Sequence, residues 1–252
     1  MKANADGLHA ANGVPDGTRR SKASGGGPEG VAAVFSETPV PPLHFGGEAP
    51  RFPSQAVWCA LPQAITPQRV GASRSSPPPD GDWLYEIRLD GHRMLARIDA
   101  GEVRLITGDG EDWTARLQPL RRTLAAMRLL PGWYDGEIVV LDERGLPDAD
   151  ALRQALQRHA GDVVLYLFDL PYLDNYDLRA APLAARRALL AHLLAGAASD
   201  RVRLSEAFPA PAQSLLAAVC RLGLEGLVAK RKNAPYRAGR QADWVRIACG
   251  PR

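Results

Sequence analysis

Between Trp83 and Thr107 large apolar and polar residues alternate in three short runs, 83–88, 92–98 and 102–107, separated by Asp90-Gly91 and Ala100-Gly101. Alternation of period two is the mark of half-buried strands, and Asp-Gly is a tight-turn dipeptide. Three consecutive strands linked as hairpins argue against a doubly wound parallel sheet. They predict an α+β fold with mostly antiparallel sheets flanked by helices.

Further strands are expected at 133–141, 162–169, 201–204, 226–231 and 242–247. One helix is expected to begin near Pro119, with Leu120, Leu124 and Leu129 among its apolar positions. Another begins near Pro182 and buries Leu183, Leu190, Leu193 and Leu194. A third spans about 211–222 and closes at Gly223, following the proline-first, glycine-last asymmetry of helix ends. Residues 1–50 are rich in Gly, Ala, Pro and Ser and lack sustained periodicity, which predicts a disordered tail before a domain at 51–252. The Pro/Ser-rich stretch at 71–82 is expected to be a surface loop. No internal repeat is visible.

Composition excludes several classes. The apolar runs are too short to span a bilayer, and the N-terminus lacks the apolar core of a secretory signal. Cys59, Cys220 and Cys249 have no metal-type spacing and are odd in number, which predicts reduced thiols in a cytosolic protein. Net charge is +3; with four basic and five acidic residues in 1–50, the remainder carries +4. That permits a nucleic-acid partner without demanding one. Lysine occurs at only four positions, Lys2, Lys22, Lys230 and Lys232, against 27 arginines. Part of any exchange of lysine for arginine is therefore compositional drift.

Polar clusters sit at the ends of the apolar strands: "RLDGHR" (88–93), "TGDGEDWT" (107–114), "DGEIVVLD" (135–142), "FDL" (168–170), "EGLVAKR" (225–231) and "WVRIA" (244–248). Each alone reads as turn chemistry or a solvated strand end. In this order and spacing, with "FDLPYLDNYDLRAAPLAARRALL" and "GLEGLVAKRKNAPYRAGR", they resemble the adenylation domain of ATP-dependent DNA ligases. The ligase module of bacterial end-joining repair ligases is the nearest likeness, and it covers Phe52 to Ala248.

The resemblance implies the nucleotidyltransferase fold shared with mRNA capping enzymes; the family continues into an OB-fold domain, and the end of the sequence at Arg252 leads to the expectation of no C-terminal OB-fold here. In that family the lysine of K-x-D-G-x-R attacks the α-phosphate of ATP, and the resulting AMP passes to a DNA 5′-phosphate. By position, Arg88 stands at the nucleophile, and Asp90, Gly91 and Arg93 complete the motif. Glu86, Arg93, Glu137, Phe168, Lys230 and Arg246 are the implied nucleotide-binding residues, with Phe168 stacking on adenine. Glu137 and Glu225 are the implied ligands of Mg2+ (or Mn2+), a hard ion that prefers oxygen donors. Arg240 is implied in DNA binding. The implied partners are nicked or broken duplex DNA and end-joining repair proteins, for a monomer in the bacterial cytoplasm, on the nucleoid when bound to DNA.

Three positions depart from the pattern. Arg88 replaces the lysine, and a guanidinium stays protonated with delocalised nitrogens, so it pairs with phosphate but hardly attacks it. Thr107-Gly108 lacks the arginine of the family's Ser/Thr-Arg pair. The closing W-x-K-x-K reads Trp244-Val245-Arg246-Ile247-Ala248, so Ala248 lacks a charge. Losing an electrostatic stabiliser of a phosphoryl transition state costs on the order of 10²–10³-fold. Asn175, where glycine is common, tolerates a left-handed turn. His92 and His159 lack spaced partners and read as surface or core residues. Three hypotheses follow: a ligase impaired in self-adenylation, a ligase-like nucleotide- or DNA-binding module, and a relative of RNA ligases or capping enzymes. The "FDLPYLDNYDLR" and "APYRAGR" stretches argue against the third.

Overall fold

The computed structural model describes residues 51–250 except 80, 159, 160, 198, 209 and 210. The expected tail at 1–50 and His159 lie outside the described residues. Two sheets carry the fold. The larger has the order β1-β8-β7-β6-β4-β5, with β9 added parallel to β7. Its strands are β1 (Val57–Trp58), β4 (His92–Asp99), β5 (Glu102–Thr107), β6 (Gly132–Val139), β7 (Val164–Leu173), β8 (Tyr176–Asp177) and β9 (Val202–Leu204). The smaller has the order β2-β11-β10-β3, from β2 (Gln68–Arg74), β3 (Trp83–Ile87), β10 (Gly226–Arg231) and β11 (Gly239–Ala248). Apart from β7–β9 and β2–β11 the pairings are antiparallel, so the expected α+β class holds.

The expected hairpin at Asp90-Gly91 does not form. β3 pairs with β10 in the small sheet, whereas β4 pairs with β5 and β6 in the large one. Leu89–Gly91 is therefore a crossing between sheets. Asp90 adopts a left-handed φ of 48°, and a Cβ on Gly91 would lie 2.1 Å from the Ile138 carbonyl oxygen. Only glycine permits that approach. Alternation identifies a strand but not its partner, and here the partner is in the other sheet. The true hairpin is β4–β5, turned at Ala100-Gly101 with both φ positive.

Four helices lie among the described residues: α1 (Gln118–Met127), α2 (Ala149–Gln157), α3 (Leu183–Ala195) and α4 (Ala212–Arg221). The first core packs α1 and α3 on the large sheet, with Leu120, Leu124, Leu190 and Leu194 against Met94, Leu105, Leu165 and Leu167. Each fully buried leucine contributes roughly 1.5–3 kcal/mol. The second core joins the sheets: Val139, Val164 and Tyr166 meet Leu227, Ala229 and Ile247, with Leu215 and Val219 of α4 beneath. No helix of the described residues is long and apolar enough to cross a membrane.

Three expectations need correction. The stretch 71–74 is not loop, because β2 runs through Arg74 beside β11. α2 was not expected, although the Asp148 side chain caps it by accepting the Ala151 N–H at 2.9 Å. Cys220 and Cys249 are not reduced thiols: they form a disulfide with Cα atoms 5.6 Å apart. The end of α4 and the end of β11 meet there, where the Cys249 N–H donates to the Glu225 carbonyl. Cys59 is the free cysteine among the described residues.

Candidate functional site

The crossing from β3 to β4 opens a cavity of about 120 Å³ between the sheets, lined by Val70, Glu86, Arg88, Arg93, Glu137, Phe168, Ser205, Val228, Lys230 and Trp244. Its floor is a buried ionic cluster. Glu86 Oε1 accepts from Lys230 Nζ and Arg187 Nη1, both at 2.9 Å, and Oε2 accepts from Ser205 Oγ at 2.7 Å. Arg187 also donates to the Phe168 and Ser205 carbonyls. β3 and β10 supply Glu86 and Lys230 because side chains two apart share a sheet face. Burial lowers the Lys230 pKa, and Glu86 opposes the shift.

Arg93 is a strut. Its Nε and Nη2 grip both oxygens of the fully buried Asp135 at 2.5 and 2.6 Å, and Nη2 also reaches the Gln68 carbonyl. Tyr236 Oη donates to the same carboxylate at 2.7 Å. Burial works against the Arg93 charge, but Asp135 outweighs it and raises the pKa above the usual arginine value. The Arg93 guanidinium lies 4.6 Å from the Phe168 ring centre and Lys230 Nζ lies 3.9 Å from it, with Trp244 edge-on at 5.8 Å. Two cations already face that ring. The cavity is small beside the roughly 300–1,000 Å³ of ligand pockets.

At the cavity mouth, the Arg88 N–H donates to the Gly226 carbonyl at 2.9 Å. Its guanidinium contacts Asp90 Oδ1 at 3.3 Å and pairs with Glu225. Arg246 Nη2 reaches the same Glu225 carboxylate at 3.3 Å. Burial lowers the Arg88 pKa, and the Arg246 charge adds to that. Glu137 lies opposite Arg93 in the β4–β6 ladder, and its Oε1 accepts the Gly91 N–H at 2.6 Å. Arg240 lines a neighbouring groove with Arg69 and Arg246.

The structure thus gathers Glu86, Arg88, Arg93, Glu137, Phe168 and Lys230 around one cavity, with Asp90, Glu225 and Arg246 at its mouth and Arg240 outside it. Sequence reasoning missed Asp135, Arg187, Ser205 and Tyr236, which hold those groups, and also Arg69. Asp135 is the first residue of "DGE", and Arg187 and Tyr236 lie in the quoted stretches "AARRALL" and "APYRAGR", so those three had a readable signal. Arg69 Nη2 bonds the Gly108 carbonyl at 2.7 Å and Asp109 Oδ1 at 2.5 Å. A guanidinium from β2 therefore sits at position 108, where the resemblance lacks one. A Cβ on Gly108 would lie 3.0 Å from Arg93 Cβ, so a side chain there is crowded.

A family model described as ATP dependent DNA ligase domain matches residues 77–247. The chain belongs to the ATP-dependent DNA ligase family. This ligase-family chain is 42% identical over 221 residues to the multifunctional non-homologous end joining protein LigD of Pseudomonas aeruginosa, a match covering 87% of the chain and 25% of that protein. It is 35% identical over 167 residues to the multifunctional non-homologous end joining DNA repair protein LigD of Mycobacterium tuberculosis, covering 65% and 21%. The chain spans about a quarter or less of these relatives' length. Among solved structures, mycobacterial DNA ligase D complexed with ATP and MES superposes with a TM-score of 0.63 at 32% identity, covering 73% of this chain and 60% of that one.

The family implies ATP and a divalent metal. The residues here do not fit the metal. Glu225 is shared by two guanidiniums, Glu137 accepts the Gly91 N–H on one oxygen, and among the described residues no three His, Cys, Asp or Glu side chains converge as a metal site.

Proposed function

We propose that residues 51–252 are a DNA-ligase-type module that binds a nucleotide and DNA but is impaired in forming the covalent protein–AMP intermediate. The observation that carries this reading is Arg88 at the end of β3, its guanidinium paired with Asp90 and Glu225. Self-adenylation needs a nitrogen lone pair to form a bond to the α-phosphorus while the bond to pyrophosphate breaks. A protonated, delocalised guanidinium supplies no such pair. The groups proposed to hold the nucleotide are Glu86, Glu137, Phe168, Lys230 and Arg246. The ligand is ATP. The finer expectation of Mg2+ or Mn2+ on Glu137 and Glu225 is set aside, because Glu225 is shared by the guanidiniums of Arg88 and Arg246.

The relatives' names support end joining as the setting, hence nicked or broken duplex DNA as the partner and the bacterial cytoplasm as the place. The proposed unit is a monomer, and Arg240, beside Arg69 and Arg246, is the proposed DNA contact. The test is intact mass spectrometry after incubation with ATP and magnesium. The expected spectrum is the unmodified chain. A robust AMP adduct would refute the reading, and peptide mapping would then ask whether Lys230, the primary amine lining the cavity, had become the nucleophile.

A further inference from the structure

We propose that the Arg88 guanidinium takes the place of a divalent cation, so that this cleft holds a nucleotide's phosphates without a metal. The proposal rests on the nucleotide-binding reading above and deepens it. Carboxylates beside a phosphate site need a positive charge between them and the phosphate oxygens, and a hard dication is the common solution. Here the chain carries that charge covalently. The Arg88 backbone is pinned to Gly226, and its guanidinium bridges Asp90 on one side and Glu225 on the other. Arg246 closes on Glu225 as well, and Glu137 is turned to the Gly91 N–H.

At the mouth Arg88 and Arg246 offset the charges of Asp90 and Glu225, and the Glu137 carboxylate is met by the Gly91 N–H. Arg88 is not sealed in, since 23% of its side chain is exposed. A guanidinium has five N–H donors in a planar fork. Two directions serve the carboxylates, which leaves donors for phosphate oxygens arriving from the open side. The adjoining groove continues the same chemistry. Val70 lines both the cavity and the groove, and Arg240 and Arg246 stand along the groove with Arg69. A lysine at position 88 would present one compact ammonium in place of the fork, and could not bridge two carboxylates with the same planar geometry.

Two measurements on the full chain test this. In the first, a fluorescent ATP analogue is titrated in excess EDTA and again in Mg2+. The dissociation constants should agree within about threefold. A loss of tenfold or more in EDTA would overturn the proposal while leaving nucleotide binding intact. No binding in either buffer would remove the nucleotide reading itself, and this inference with it. In the second, Mn2+ alone is added and its free fraction followed by electron paramagnetic resonance. The parent should leave Mn2+ free, and Arg88→Ala should capture it at the released carboxylates. Mn2+ bound by the parent and lost in Glu225→Gln would show that the carboxylate serves the metal after all.

Discussion

Glu86→Gln tests whether the cavity floor is held by charge. The carboxylate receives Lys230 and Arg187 at 2.9 Å and Ser205 at 2.7 Å, and all four side chains are buried. The substitution keeps the shape and one acceptor but removes the carboxylate that Lys230 touches among the described residues. Breaking a buried pair from one side costs about 3–5 kcal/mol, because the remaining charge is stranded. Arg187 keeps the Phe168 and Ser205 carbonyls at 3.0 and 2.6 Å, so the stranded charge is Lys230. Lys230 keeps only the rings of Phe168 and Trp244. The lower end, about 3 kcal/mol, is expected, or roughly 6–12 °C in Tm for a domain of this size. Burial already holds the Lys230 pKa below 10.5, so between the folded value and 10.5 the unfolded chain binds the extra proton and stability rises with pH. Losing Glu86 lowers the folded value further, and the deficit should shrink as pH rises towards 10.5. Urea unfolding across that range measures it, and Glu86→Gln/Lys230→Met should be more stable than Glu86→Gln alone. A deficit under about 1 kcal/mol, or one that does not change with pH, would refute the reasoning.

Three more outcomes are expected. Burial raises the Glu206 pKa above 4.5, and nearby Glu86 adds to this against Arg187; its ionisation therefore costs stability as pH rises through the folded value. Glu206→Gln should raise Tm at pH 7 and leave it unchanged below about pH 4.5, as thermal melts at both pH values will show. Reduction of Cys220–Cys249, which closes a 29-residue separation, should cost about 3–4 kcal/mol by chain entropy, measured as a shift in urea midpoint absent from Cys220→Ser/Cys249→Ser. Arg88→Lys should yield an AMP adduct in intact mass spectra where the parent yields none, and adding Ala248→Lys should raise its rate by about 10²-fold or more; silence in both variants would mean that the pocket has decayed beyond these positions.

Much of the large sheet was legible because its strands bury one or both faces and carry the period of their structure. β4, β5 and β6 start within a residue of expectation, and β7 overruns its expected end by four residues. β2 was hidden for a physical reason. Beyond Gln68 none of its residues is buried, so its strand character comes from backbone pairing with β11, far away in sequence. α2 buries only Leu152 and Leu156, too little periodicity to notice without its Asp148 cap. The disulfide depends on two element ends meeting, which no spacing rule contains. The cluster of strand-end polar residues was visible as a set, but not which of them hold nucleotide and which hold protein. Arg93 carries the motif's arginine and spends its donors on Asp135 and the Gln68 carbonyl.

That division separates two kinds of residue in this cleft. Glu86, Arg93, Asp135, Lys230 and Tyr236 are bonded to one another or to the backbone in pairs whose loss strands a charge or hydroxyl, so the fold itself requires them. Positions 88, 108 and 248 lie at the mouth or beyond it, where the pattern's lysine, arginine and lysine are replaced by arginine, glycine and alanine without breaking a pair of the buried cluster. Arg88 finds Asp90 and Glu225, and Arg69 reaches the carbonyl of Gly108. The departures from the ligase pattern fall where folding exerts no hold and only the chemistry would. Self-adenylation makes chemical demands on both sets, whereas binding needs the buried set and guanidiniums at the mouth, where Arg88 and Arg246 share Glu225, Arg69 pairs with Asp109, and Arg240 lines the adjoining groove.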